Sequence, residues 1–234
     1  MAGTGRNTPL RRAKYALLQH VPGAIGLKYR RKLRKLVETP IAEAAFRDAL
    51  ARSAGTVCID LGANLGQHTR AMAPYASRVY AFEPDPWTAS HLRERLGDLQ
   101  NVEVIEAAAG TQDGTLPFYR TAAFDTDREI QSQSSSLMSD KCNVDTSTAI
   151  DVSVIDFPAF LAALDTEVGV IKMDIEGAEV PLLEALFDTP VLDRVGYMFV
   201  ETHESRIPAL SERTDALRVR AAGMSQPVVN MDWK

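Results

Sequence analysis

Beyond residue 55 the chain alternates short apolar runs with segments whose apolar positions recur at helical spacing. The runs at 56–61, 78–83, 102–107, 169–174 and 196–202 are rich in β-branched and aromatic residues and predict strands, while segments near 66–76, 86–97, 157–165, 177–187 and 208–222 predict helices. This order predicts an α/β fold, a doubly wound, mostly parallel sheet with right-handed crossovers. Its ligand is expected outside the carboxyl ends of the strands, where the strand order reverses. Two further alternating stretches, GTLPFYR at 114–120 and AIDVSVI at 149–155, predict a hairpin inserted after the third strand. Between them runs the polar segment REIQSQSSSLMSDKCNVDTST, read as a lid over the site or as a solvated loop. Ser134, Ser135 and Ser136 are its candidates for binding a polyhydroxylated substrate.

The stretch IDLGANLGQHT at 59–69 follows a buried strand and opens a helix, which aims backbone N–H groups at a ligand. A dinucleotide fingerprint needs a glycine two residues after the first, and here Gly62 is followed by Ala63, Asn64 and Leu65 before Gly66. A second strand, RVYAFEPD, ends on Glu83, and a carboxylate there accepts the hydroxyls of a ribose. The expected ligand therefore carries a ribose without a pyrophosphate, which suits S-adenosylmethionine. An NAD-dependent oxidoreductase is disfavoured by the same spacing.

At the ends of the two strands that follow stand KMDIEG and VETHE. Side-chain alternation predicts that Asp174 shares a direction with Glu176, and Glu201 with His203, so that four proton acceptors or ligands converge beside the glycine loop. His203 is the foremost candidate for a general base, because an ordinary imidazole titrates near neutrality. Alternatively Asp174, Glu201 and His203 hold Mg2+ or Mn2+. Gly177 and Glu179 are expected to open the following helix, and His68 has no constellation around it.

Taken in order, VCIDLGANLGQHT, VYAFEPDP, VGVIKMDIEGAEVPLLEAL and FVETHE resemble the FkbM-type methyltransferases over roughly residues 55 to 205. The resemblance implies a Rossmann-like class I methyltransferase using S-adenosylmethionine, most often on hydroxyl groups. It places strand 56–61 between 78–83 and 169–174, with 196–202 next outward. The family's sheet usually closes with a hairpin of two further strands, for which only PVVNMDW remains here after Gly223. By the motif, Asp60 orients the loop and the amino group of the methionine moiety, Gly62 and Gly66 permit close approach, and Asn64 meets the methionine carboxylate, with Ala63 and Gln67 in the same loop. Glu83 takes the ribose, and Phe82, Pro84, Glu106, Ala107 and Ala108 are the candidates for the adenine pocket. The acceptor is expected to be a small molecule or glycan, methylated on a hydroxyl. N-methylation of a small molecule or peptide and a non-catalytic S-adenosylmethionine-binding module are the alternatives.

Composition adds a domain plan and one asymmetry. The 234 residues, 45% hydrophobic, suffice for one sizeable core. The plan is a basic helical extension over 1–50 and a methyltransferase domain over 51–234, with the insertion at about 112–150. Cys58 in a strand and Cys142 in a polar loop read as free thiols of a cytoplasmic protein, and no apolar stretch is long enough to cross a membrane. Residues 1–36 contain ten Lys or Arg and no acid, whereas the remainder carries 16 basic and 31 acidic residues. The basic segment is expected either to pack as a solvated helix on its own acidic domain or to meet anionic lipid or a phosphate-bearing carrier. Nucleic acid is disfavoured as a partner, since the Asn-Pro-Pro-aromatic signature of many base-methylating enzymes is absent.

Overall fold

The computed structural model describes residues 8–132, 135–138, 144, 147, 149–204 and 206–233. Along the chain run α1 (Pro9–Leu18), α2 (Ala24–Arg52), β1 (Val57–Leu61), α3 (Gln67–Met72), β2 (Arg78–Phe82), α4 (Pro86–Arg95) and β3 (Val102–Ile105). The insertion follows as β4 (Ala108–Gly110), β5 (Gly114–Tyr119), α5 (Arg128–Gln131) and β6 (Ala149–Asp156). Then come α6 (Phe157–Ala163), β7 (Val168–Met173), α7 (Glu179–Phe187), β8 (Val195–Glu201), α8 (Ser211–Ala222) and β9 (Val228–Trp233). No described helix is long and apolar enough to cross a membrane.

The main sheet has the order β3-β2-β1-β7-β8-β9 with every pairing parallel. The chain steps outward from β1 to β3, then returns to the other side of β1, so the order reverses between β1 and β7. Ligand sites form at such a reversal because the crossovers on either side depart in opposite directions and leave a crevice. In place of a closing hairpin, α8 carries the chain back and β9 adds in parallel to β8. A separate small sheet, β4-β6-β5, contains the expected hairpin, with β5 and β6 antiparallel and β4 parallel to β6.

Alternation along the central strands sorts the core into two layers. Ile59, Leu61, Ile171 and Met173 face α6, α7 and α8 with Phe157, Leu183 and Leu217. Cys58 and Val170 face the other way, where Ala42, Phe46, Ala49 and Leu50 of α2 pack with Met72 of α3 and Trp233 of β9. The helix that begins in the basic segment thus ends as part of a sheet-covering layer. Burial pushes the Cys58 thiol up to about 12, so it is an inert core residue. Cys142 lies outside the described residues.

Candidate functional site

The loop after β1 is built for sharp turning. Gly62, Asn64 and Gly66 all take positive φ, at 77°, 49° and 84°. A Cβ on Gly62 would stand 1.8 Å from the Asp174 carbonyl oxygen, and one on Gly66 would stand 2.7 Å from Leu92 Cδ1. The left-handed backbone and, at Gly62, the facing carbonyl thus call for glycine at both positions, beside the ligand approach that the motif implies. Asn64 tolerates the left-handed conformation and stabilises it by accepting the Leu65 N–H at 2.8 Å.

Glu83 is buried just past β2 and grips this loop. Its Oε2 accepts the Asn64 N–H at 2.9 Å and its Oε1 the Asp85 N–H at 3.0 Å. Burial pushes its carboxyl up to about 8; the two N–H donors and Lys172 act against that shift, and the charge of Asp85 adds to it. Asp85 in turn caps α4 and receives Arg120 Nε at 2.6 Å, tying the end of the hairpin to the tip of β2.

Beneath the loop lies a buried ion pair between registered partners. Asp60 of β1 pairs with Lys172 of β7 in the sheet, both face the α2 layer, and Lys172 Nζ stands 3.2 Å from Asp60 Oδ1. The same ammonium donates to the Gly62 carbonyl at 2.8 Å and lies 3.9 Å from Asp174 Oδ2. Burial works against its charge, but Asp60 and Asp174 outweigh it and hold its pKa above the usual lysine value. Asp60 also accepts the Thr69 hydroxyl at 2.7 Å and is wholly buried. It supports the loop from below and does not line the cleft.

The acidic groups after β7 and β8 do converge, though not by strand alternation, because β7 ends at Met173 and β8 at Glu201. Glu176 adopts φ 57° in a turn closed by Glu179, whose carboxylate accepts the N–H groups of Ile175 and Gly177, each at 2.8 Å. Oε1 of Glu179 also meets His203 Nδ1 at 3.0 Å. On its other side, His203 Nε2 stands 3.1 Å from Glu176, 3.7 Å from Asp174 and 4.0 Å from Glu201. Burial favours a neutral ring, yet the bond to Glu179 and the charges of Glu179, Glu176 and Asp174 prevail and raise its pKa to about 9. A raised pKa makes the ring a poorer proton acceptor at neutral pH than an ordinary imidazole, which weighs against the expectation of His203 as a ready base. Arg206 adds a second cation, 3.0 Å from Glu176 Oε2. The potential metal-ligand group among the described residues is Asp174, Glu176 and His203, with Glu201 outside it.

These elements border a cleft of 1230 Å³ lined by the Gly62–His68 loop, Glu83, Pro84, Lys172, Asp174, Glu176 and Glu201. Of the expected adenine-side residues, Pro84 and Ala108 line it, but Phe82 packs in the core against Phe157 and Phe160, and Ala107 is buried off the wall. Phe118 of β5 supplies an aromatic there instead. The described part of the serine-rich segment contributes Ser132, Ser135 and Leu137 to the wall. Ser136 anchors it, donating from Oγ to the Glu176 carbonyl at 2.6 Å; Ser134 lies outside the described residues. Thr39 and Glu43 of α2 join His68 and Trp233 at the cleft boundary. His68 is thus a cleft residue stacked edgewise on Trp233, its pKa lowered by burial and the charge of Lys172.

Sequence reasoning missed Lys172, Glu179 as a partner of His203, and His68. The signal for Lys172 was a lone cation inside the apolar run VGVIKM, which burial obliges to find an anion.

Residues 60–222 match the FkbM methyltransferase domain family. The chain is 26% identical over 166 residues to the 2-O-methyltransferase NoeI of Sinorhizobium fredii, covering 65% of this chain and 67% of that protein. A 66-residue stretch is 41% identical to an uncharacterized protein of Methanothermobacter thermautotrophicus, covering 28% of this chain and 27% of that one. Among solved structures, it is similar to an FkbM methyltransferase of Methylobacillus flagellatus at 21% identity and TM-score 0.35, covering 57% of this chain and 29% of that one. An rRNA methylase of Streptococcus thermophilus is similar at 12% identity and TM-score 0.43, covering 77% and 78%.

Proposed function

Because the chain belongs to the FkbM methyltransferase family, and so to the S-adenosylmethionine-dependent methyltransferases, we propose that it methylates a hydroxyl group of a sugar, glycan or other small natural product. The observation that carries this reading is the set of carboxylates, Asp174, Glu176 and Glu201, lining the cleft beside the glycine loop. Such a set accepts hydrogen bonds from several hydroxyls at once. The 2-O-methyltransferase activity named for the relative from Sinorhizobium fredii supports a hydroxyl acceptor.

The residues present fit S-adenosylmethionine. Glu83 sits at the tip of β2 with a carboxylate on the cleft wall, where it would take the ribose, and the loop from Ala63 to Gln67 would take the methionine portion. Asn64 and Ser132, joined at 3.0 Å, border the same region. When bound, the group supplies an electrophilic methyl on a sulfonium, so its leaving side needs no proton.

The protein's task is to hold the acceptor hydroxyl in line and to receive its proton. In this reading Asp174 receives it. Its side chain is 30% exposed on the cleft wall, while its Oδ1 is itself buried, 3.7 Å from His203 Nε2 and without a hydrogen-bond partner among the described residues. Glu201 and Glu176 orient the neighbouring hydroxyls. His203 and Lys172 are buried behind these groups, and the charges they carry offset the mutual repulsion of the carboxylates.

The divalent-cation alternative, Mg2+ or Mn2+ on Asp174 and His203, competes with this arrangement. The donor set disfavours it, since the His203 proton and the Arg206 guanidinium already answer the charges of Glu176 and Asp174. N-methylation remains the alternative, since a carboxylate-lined wall accepts N–H donors as well as hydroxyls, and the product distinguishes the two.

The direct test is incubation with S-adenosylmethionine carrying an isotopically labelled methyl group and a panel of mono- and oligosaccharides. The expected product gains one labelled O-methyl group located by NMR. An N-methyl product, or cofactor binding with no turnover on any hydroxylated acceptor, would favour the N-methylating enzyme or the non-catalytic module.

A further inference from the structure

We propose that α1 and the first turns of α2 form a docking surface for an anionic lipid bilayer. Tyr15 on α1 is buried against Tyr29 of α2, with ring centroids 5.5 Å apart. At about 100° per residue, Leu10 and Leu17 lie within about 20° of one another and about 140–160° from Tyr15. They therefore point away from α2, and they are 85% and 75% exposed. Val21 and Ile25, at the turn between the helices and the start of α2, are exposed as well.

Positive charge flanks this stripe. On the helical wheel Lys14 falls within about 60° of both leucines, while Arg11 and Arg12 stand about 100–160° from them on the sides of α1; Lys28 and Lys32 are exposed on α2. Residues 1–36 hold ten Lys or Arg and no acid. A helix of this kind lies in a bilayer interface, with its apolar side chains immersed and its cations among the phosphates. The long stems of lysine and arginine let the charges reach the head groups while the leucines insert.

The leucines decide between partners. A nucleic-acid duplex would engage the charges through its phosphates and leave Leu10 and Leu17 in water, whereas an anionic bilayer uses both features. Geometry also links the surface to the cleft. From Ile25 to Thr39, which lines the cleft, α2 is continuous and spans about 21 Å at the usual helical rise. The dock and the cleft are thus joined by one helix.

The test is flotation of the full-length chain with vesicles of phosphatidylcholine alone or mixed with phosphatidylglycerol. Binding is expected to the mixed vesicles and not to the neutral ones, and to fall about tenfold as salt is raised from low to high ionic strength. Leu10→Ser with Leu17→Ser should lower it about tenfold while circular dichroism and S-adenosylhomocysteine affinity stay unchanged. Lys14→Glu with Lys28→Glu should lower it as well. Equal flotation of the serine variant and the parent, or equal binding to neutral vesicles, would overturn the proposal. So would tight binding to RNA or duplex DNA that the serine variant keeps, with no flotation on mixed vesicles.

Discussion

Nδ1 of His203 and Oε1 of Glu179 meet at 3.0 Å, in two side chains almost sealed from solvent. The same carboxylate holds the N–H groups of Ile175 and Gly177, so one acid fastens the exit of β8 to the turn after β7. The cleft carboxylates Asp174 and Glu176 stand on that turn, and the imidazolium faces them from behind.

This arrangement makes stability depend on pH in a definite direction. The folded pKa of His203, about 9, lies above the ordinary value of 6.5, so its contribution is full below pH 6.5 and is lost as pH rises through 9. Glu83, raised from 4.5 to about 8 by burial, acts with the same sign across a lower window. The thermal midpoint of the ligand-free protein is expected to fall as pH rises from 6.5 to 9. His203→Gln should flatten that part of the curve; an unchanged slope would assign the titration to another group.

Lys172 neutralises Asp60 from within the sheet, so Lys172→Met should leave a buried carboxylate unpaired. A loss of about 3–5 kcal/mol in denaturant unfolding is expected. Adding Asp60→Asn to that variant should recover much of it, because no buried charge then lacks a partner. A double variant no more stable than the single one would contradict the pairing.

Calorimetry with S-adenosylhomocysteine tests the role of Glu83. Glu83→Ala is expected to weaken binding by about 1–3 kcal/mol, the cost of leaving the ribose hydroxyls and the Asn64 and Asp85 N–H groups without their acceptor. Asp174→Asn should leave that affinity nearly unchanged, since its proposed work concerns the acceptor. Full affinity in the Glu83 variant would remove the ribose assignment.

Once an acceptor is identified, turnover separates the two accounts of the acidic cluster. With Asp174 as proton acceptor, Asp174→Asn lowers kcat about 10²–10⁴-fold and a chelator has no effect. If chelation abolishes activity and manganese restores it, the divalent-cation alternative replaces the base.

Much of the architecture was legible because it depends on local pattern. The five strands expected from apolar runs all formed within two residues of their expected ends, and the alternation in GTLPFYR and AIDVSVI produced the antiparallel pair β5 and β6. Less legible was β9: the motif leads to a closing hairpin, but α8 returns the chain so that VVNMDW pairs in parallel with β8. The short β4 was also missed, since three residues carry too little pattern to declare a strand.

The candidate site divides along the same line. Sequence alone determined which acids and glycines meet at the strand ends, because parallel strands bring their carboxyl ends to one edge of the sheet. What each does was decided by tertiary structure. Gly62 answers to the Asp174 carbonyl, Phe82 turns into the core while Phe118 takes the wall, and His203 becomes a cation. The physical reason is that protonation and orientation depend on burial and on charges brought from distant parts of the chain. Glu179 reaches His203 across 24 residues, and Lys172 reaches the Gly62 carbonyl across 110. No periodicity in the sequence encodes those distances; only the packed sheet sets them.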